Sequence, residues 1–404
     1  MQLPPEICGR ICGAIRQWDN RFVVEKTLAS LSAVSKTWRP EALRSLWYKV
    51  VIDEDDKGNA EPRGTAAMVS LIVNKGYGHY IRDLKIGLNF ETWPEEKRYL
   101  DERFSLRDKI VHILLTATNV HTLWISSYRA GGILILPHLY RCHFPVLRDL
   151  TMHISLADDG LGIDFIPPPD GLDLFFVSHP GLQELSFYIF NCNSEAALTP
   201  IRVPWTKTRE LPQCLPNLIS FTGGPEEIKL LRPSVSLKEV TLWVNPLGII
   251  EYDQEDLFRD LKDVDGPFLY VTHLEMMCET GPFLDCDLLE EINRCFPNLE
   301  VLQGVDLHGD MVDDLLSSKG GPRGKLQKLK ELLYEAMVHM DVHDNSRLEK
   351  AIIHLPHMFP SLRYVTRCVH PVGHGHADAE CTHLYFQFDE DGTISSREKR
   401  RKSV

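Results

Sequence analysis

The chain has 404 residues, too many for one ordinary compact core. It is 43% apolar and 25% charged, which excludes a chain that is disordered throughout. A formal net charge of −13 argues against broad nucleic-acid binding, which needs a basic surface.

Pro4 and Pro5 suit the first positions of a helix, where no intrahelical N–H partner is needed. Ile7, Ile11 and Ile15 recur every four residues and Trp18 follows three later, which predicts one apolar helical stripe. Asp19-Asn20 breaks it. Leu28, Leu31, Val34 and Trp38 predict a second helix that ends near Arg39, because Pro40 cannot sit inside it. Pro40 then opens a third short helix carrying Leu43, Leu46 and Trp47. Three short helices have too little interior for Leu3, Ile7, Trp38, Leu46 and Trp47 together. An apolar surface facing a partner is expected, with helix-in-groove docking as its use. The alternative is a plain cap on the next domain.

Order and identity favour the partner. Leu3-Pro4-Pro5-Glu6-Ile7, Ile11, then Leu28, Leu31 and Val34-Ser35-Lys36-Thr37-Trp38-Arg39, then Ala42-Leu43 and Leu46-Trp47, resemble an F-box of the fungal type. The resemblance covers residues 2 to about 50. The stretch from Gln17 to Lys26 departs from it, being longer and more polar than in the shortest boxes. The resemblance implies docking onto a Skp-type adaptor through Leu3, Pro4, Ile7, Ile11, Leu28, Leu31, Val34 and Trp38, and through the adaptor onto a cullin.

Val50-Val51-Ile52 reads as a strand, and the acidic run from Asp53 to Asn59 as a solvated loop and domain boundary. From Tyr80 a small pattern returns: apolar, two variable, apolar, one variable, apolar. It stands as Ile81-Leu84-Ile86, Val120-Leu123-Ile125, Leu147-Leu150-Met152, Leu182-Leu185-Phe187 and Leu237-Val240-Leu242. Weaker copies are Leu218-Phe221, Val271-Leu274-Met276, Leu299-Leu302, Leu329-Leu332 and Leu362-Val365. A turn such as Phe144-Pro145, His179-Pro180 or Phe296-Pro297 introduces several of them. The alternating end of the pattern suits a short strand. Helical stretches at 106–117, 257–262 and 288–295 fill some of the intervals. Strand-plus-helix units of this size resemble an irregular leucine-rich-repeat solenoid, whose strand face would hold a protein target. An ordinary parallel α/β domain is the alternative. Trp205 and Trp243 are candidate target anchors or core residues.

No phosphate-binding loop, dinucleotide fingerprint, zinc-protease helix or nucleophile elbow occurs, so no catalytic residue is assigned. Cys368, His370, His374, His376, Cys381 and His383 cluster in sequence but lack paired ligand spacing, so no metal and no cofactor are assigned. The ten cysteines include no C-x-x-C pair and read as reduced, mostly buried thiols. No basic region followed by an apolar run opens the chain, and no run is long enough to span a bilayer. A cytoplasmic or nuclear location is expected, with no membrane partner. The basic run Arg397–Lys402 reads as a disordered tail or an import signal.

The expected fold is therefore α/β, with an F-box at 1–52 and an acidic linker and first helical segment at 53–79. An irregular leucine-rich-repeat-like domain follows at 80–392, and a basic disordered tail at 393–404. The expected function is that of a non-catalytic substrate receptor in a Skp–cullin–F-box ubiquitin ligase. A repeat scaffold acting outside ubiquitination is the alternative.

Overall fold

The computed structural model describes residues 3–53, 62–89, 108–128, 135, 138–156, 169–191, 215–244 except 226 and 232, and 254–277 except 265. It also describes 282, 284–307, 310–317, 326–337, 342–370 and 381–402. The chain is mixed α/β and divides into two compact units, Met1–Lys207 and Thr208–Val404.

The first unit opens with three helices, α1 (Pro5–Arg16), α2 (Arg21–Val34) and α3 (Trp38–Leu46). Strand β1 (Lys49–Asp53), helix α4 (Pro62–Lys75) and a 3-10 turn (Tyr77–Tyr80) follow. Then come β2 (Asp83–Asn89), a helix at 108–116, β3 (Thr122–Tyr128), β4 (Asp149–Leu156), a helix at Pro169–Ser178 and β5 (Glu184–Asn191). All five strands are parallel, and each pairs with the next in sequence.

The second unit repeats the scheme with β6 (Ser220–Gly223), β7 (Glu239–Trp243), β8 (His273–Met277), β9 (Val301–Val305), β10 (Glu331–Met337) and β11 (Tyr364–His370). These are again parallel and sequential. The order ends in an antiparallel pair, β12 (Cys381–Phe388) and β13 (Ile394–Lys402). Helices such as Gln254–Lys262 and Cys286–Cys295 link successive parallel strands, which need a crossover rather than a hairpin.

The small recurring pattern marks all ten strands from β2 to β11. None of its apolar residues exceeds 2% exposure, from Ile81, Leu84 and Ile86 to Leu362 and Val365. The residues between them alternate outward, as the period of two requires. The turns that precede the strands share one hydrogen bond. Leu147 N–H donates to Phe144 O at 3.0 Å, Leu182 to His179 at 3.2 Å and Leu362 to Phe359 at 2.9 Å. Proline at the second turn position matches its fixed φ. At the start of most of the parallel strands two successive N–H groups then share one carbonyl of the preceding strand's start. His121 and Thr122 both donate to Arg82 O, and Arg148 and Asp149 to His121 O. In the second unit Lys330 and Glu331 donate to Glu300 O, and Arg363 and Tyr364 to Lys330 O.

His179 locks one of these turns. Phe144 N–H donates to its Nε2 at 2.9 Å, so Nδ1 carries the proton and donates to Phe175 O at 2.6 Å. The ring thus joins the end of the helix Pro169–Ser178 to the turn before β4, and burial lowers its pKa from the usual 6.5. In the second unit Gly304 bulges β9. Its φ of +76° and the approach of Met276 O, 1.8 Å from where a Cβ would sit, admit only glycine.

Three expectations change. Asn20 accepts the Val23 N–H at 3.1 Å and caps α2, so that helix starts at Arg21 and the polar linker is Gln17–Asn20, not Gln17–Lys26. Helix α2 ends at Val34, and Trp38 begins α3 instead of closing α2. Pro40 lies within the first turn of α3, where its missing N–H has no intrahelical role. The basic run is not a disordered tail but strand β13, paired antiparallel with β12. Asp389 builds the connecting turn by accepting N–H bonds from Asp391 at 3.1 Å and Thr393 at 2.8 Å, while Gly392 takes φ +77°.

Candidate functional site

Helix α1 carries two apolar stripes. Cys8, Cys12 and Ile15 are buried and face α2 and α3. The inward side is small enough that a Cβ on Gly9 would meet Glu41 Oε2 of α3 at 2.9 Å. Ile7 and Ile11 each sit one residue before Cys8 and Cys12, about 100° round the helix, and are exposed, as is Leu3 just before the helix. The expected single stripe from Ile7 to Ile15 therefore splits, with Ile15 inside and the other two outside.

The segment Val34-Ser35-Lys36-Thr37-Trp38-Arg39 is a helix-to-helix corner. Ser35 is extended, with φ −159° and ψ 168°, which ends α2. Its hydroxyl accepts the Trp38 N–H at 3.3 Å, and Arg39 Nε donates to Ser32 O of α2 at 3.2 Å. Trp38 packs against the helical core of Cys12, Ile15, Val24, Leu28 and Ala42, as do Leu31 and Leu46. Trp47 is buried too and stacks on Tyr77 with ring centroids 5.4 Å apart, while the Arg16 guanidinium lies 3.7 Å from the Tyr48 ring centroid. These contacts fasten the helices to the residue before β1 and to the 3-10 turn before β2.

The eight residues singled out for docking therefore separate by position. Leu3, Pro4, Ile7, Ile11 and Val34 face solvent. Leu28 is fully buried, and Leu31 and Trp38 are half-buried against it. Three further exposed apolar side chains were not singled out: Trp18 in the α1–α2 connection, and Phe22 and Val23 in the first turn of α2. Phe22 is 73% exposed and stands in the stretch that was expected to be a polar linker. The early start of α2 turns it outward.

The open strand faces form a second surface in each unit. In the first, Lys85 Nζ lies 4.0 Å from the Trp124 ring centroid, and His153 Nε2 is 2.9 Å from Ser186 Oγ. Burial lowers the His153 pKa below 6.5. A row below, Thr122 donates to Asp149 at 2.9 Å and Lys49 pairs with Asp83 at 3.0 Å. In the second, Thr241 donates to Glu275 at 3.2 Å, and Trp243 is half-buried on β7. Trp205 lies outside the described residues, as do the acidic run after Asp53, His374 and His376. No group of three or more metal-capable side chains comes together among the described residues, and none of their helices is long and apolar enough to cross a membrane.

No protein-family model matches the sequence, and no curated protein matches it. Among solved structures the chain is similar to one in the crystal structure of the yeast Rad7 and Elc1 complex, at 13% identity. The match covers 90% of this chain and 92% of that one, with a TM-score of 0.24, too low to carry an argument about fold or partners.

Proposed function

We propose that the chain is the target-holding subunit of a Skp–cullin–F-box ubiquitin ligase, with no chemistry of its own. The observation that carries this reading is the set of large apolar side chains left outside a helical core that is already filled. Leu3, Ile7, Ile11, Trp18, Phe22, Val23 and Val34 are all exposed within the first 34 residues. In this reading the α1 stripe, with Pro4 and Val34, lies in an apolar groove of the Skp-type adaptor. Phe22 and Trp18 extend the contact. Leu28, Leu31 and Trp38 act from behind by holding the three helices in place.

Sequential parallel strands with a buried three-residue core suit a leucine-rich-repeat-type array, and its open strand faces are where a protein target would lie. The cullin's other partners bring the activated ubiquitin, and holding the target nearby raises its effective concentration. Cytoplasmic or nuclear placement goes with this role. The test is co-purification of adaptor and cullin with the full chain and with a chain lacking residues 1–50. Equal recovery with both would overturn the reading. Recovery of the adaptor with no change in any bound protein's ubiquitination would favour a scaffold instead.

A further inference from the structure

Among the described residues, β13 is the last strand of the second unit's sheet and its outer edge is open. Strand β13 pairs with β12 and with no other strand among the described residues. Every residue from Thr393 to Arg400 is exposed, so no described helix or loop covers that edge. A nine-residue strand with one free edge presents a row of unpaired backbone N–H and C=O groups.

The edge is also opposite in sign to the chain. Residues 397–402 read Arg-Glu-Lys-Arg-Arg-Lys, while the whole chain carries a formal charge of −13. Cations on an edge ordinarily serve to repel a second strand. Here they occupy most of the strand's second half. The same charges that repel a basic edge attract an acidic one. The edge is held in place before any partner arrives: the Asp389 turn fixes its start, and Arg397 pairs with Glu349 at 2.6 Å. Lys399 makes no ion pair among the described residues, while Arg400 pairs with its neighbour Glu398 and lies 5.0 Å from the Tyr385 ring centroid of β12, which fixes its guanidinium at the exposed face. Adjacent strand residues point to opposite faces, so Lys399 and Arg400 offer one cation on each.

We propose that the free edge of β13 is a docking site for an extended acidic peptide segment that adds to the sheet as a further strand. Main-chain hydrogen bonds would set its register, and Asp or Glu side chains on either face would meet Lys399 or Arg400. The proposal is independent of the adaptor reading, since it uses none of the helical residues.

The test takes the full chain and a fluorescein-labelled peptide of alternating Glu and Thr, about ten residues long, the length of a long strand. Saturable binding by anisotropy is expected, weakened about tenfold or more by the double substitution Lys399→Glu with Arg400→Glu. A peptide of the same sequence, N-methylated at alternate residues on its pairing edge, should not bind. That comparison leaves the protein unaltered and stands even if the double variant folds poorly. Failure to bind at low salt would overturn the proposal. So would equal binding of the methylated peptide, or stronger binding of a DNA duplex. Self-association of the chain that the double substitution abolishes would assign the edge to a second copy and overturn it as well.

Discussion

Truncating the outward stripe of α1 separates docking from folding. Ile7 is 38% exposed and Ile11 37%. Full burial of an isoleucine side chain is worth roughly 1.5–3 kcal/mol. Covering the remaining two-fifths of each in an adaptor groove would add about 0.6–1.1 kcal/mol per residue. Replacing both by Ala should therefore weaken adaptor binding by roughly 8- to 40-fold. The Cβ that Ala retains moves the effect toward the lower figure, and a hole left in the groove moves it toward the upper. Stability should hardly change, because surface substitutions stay within about 0.5 kcal/mol and Ala is the better helix former. Leu28→Ala is the control: it empties the filled helical core and should cost about 2–5 kcal/mol of module stability. The assays are titration with purified Skp-type adaptor and thermal unfolding followed by circular dichroism. Unchanged affinity in a folded Ile7→Ala/Ile11→Ala chain would refute the docking assignment. Unfolding of that variant would refute the division into inward and outward stripes.

Four further outcomes follow from the packing. Trp38→Ala should destabilise the helical module, because Trp38 packs on its core, and any loss of adaptor binding should track the unfolding measured in the same sample. Gly304→Ala should destabilise the second unit by about 2 kcal/mol or more, from positive φ and the collision with Met276 O, read as a lowered denaturant midpoint. His179 is held neutral, with its pKa in the folded state below the 6.5 of the free ring, chiefly through burial, with the neighbouring His143 acting in the same direction. The stability it contributes is therefore complete above pH 6.5 and is lost as pH falls below that value, with a slope of at most about 1.4 kcal/mol per pH unit. Hydrogen exchange of a peptide containing Phe144 should speed up on acidification beyond the intrinsic rate change, and His179→Gln should flatten that response. Burial pushes the Cys142 thiol up to about 12 and the Cys295 thiol up to about 11, so alkylation near neutral pH, read by peptide mass spectrometry, should spare both and among the described cysteines reach half-exposed Cys286 first.

The repeating part was legible in the sequence because burial leaves a regular mark. Each strand needs apolar residues at fixed steps, and Val120-Leu123-Ile125 or Val271-Leu274-Met276 shows them whatever lies between the repeats. The helical module was legible in outline and wrong in register. Periodicity cannot tell an inward stripe from an outward one rotated by about 100°. It missed that Cys8 and Cys12, as small buried residues, define the inner side of α1. The capping role of Asn20 and the extended Ser35 moved both ends of α2, which put Phe22 outside and Trp38 in α3. The basic strand was missed because a run of like charges reads as a solvated, unstructured tail, and it carries none of the alternating apolar residues that mark a strand. The signal was present in Asp391-Gly392, a hairpin dipeptide between two segments of strand length. Tertiary pairing with β12, supported by Arg397 on Glu349, overrides the composition.

The uneven spacing of the repeats has a physical reason, and it bears on where specificity can reside. Lengthening a connection costs only about 0.6 kcal/mol for each doubling of loop length. Burying one further leucine returns about 1.5–3 kcal/mol, so selection on the core tolerates inserts of almost any size. The fold thus constrains positions such as Leu123 and Ile125 tightly, and it releases Trp124 between them, which points to the open face. In the first unit the released positions Lys85, Trp124 and Ser186 share one row across paired strands. Such a row can change its chemistry without disturbing the array, so, if the open face holds a target as proposed, Trp124→Ala should lower the recovery of co-purified protein while leaving the thermal unfolding transition of the chain in place, and unchanged recovery would place the target elsewhere.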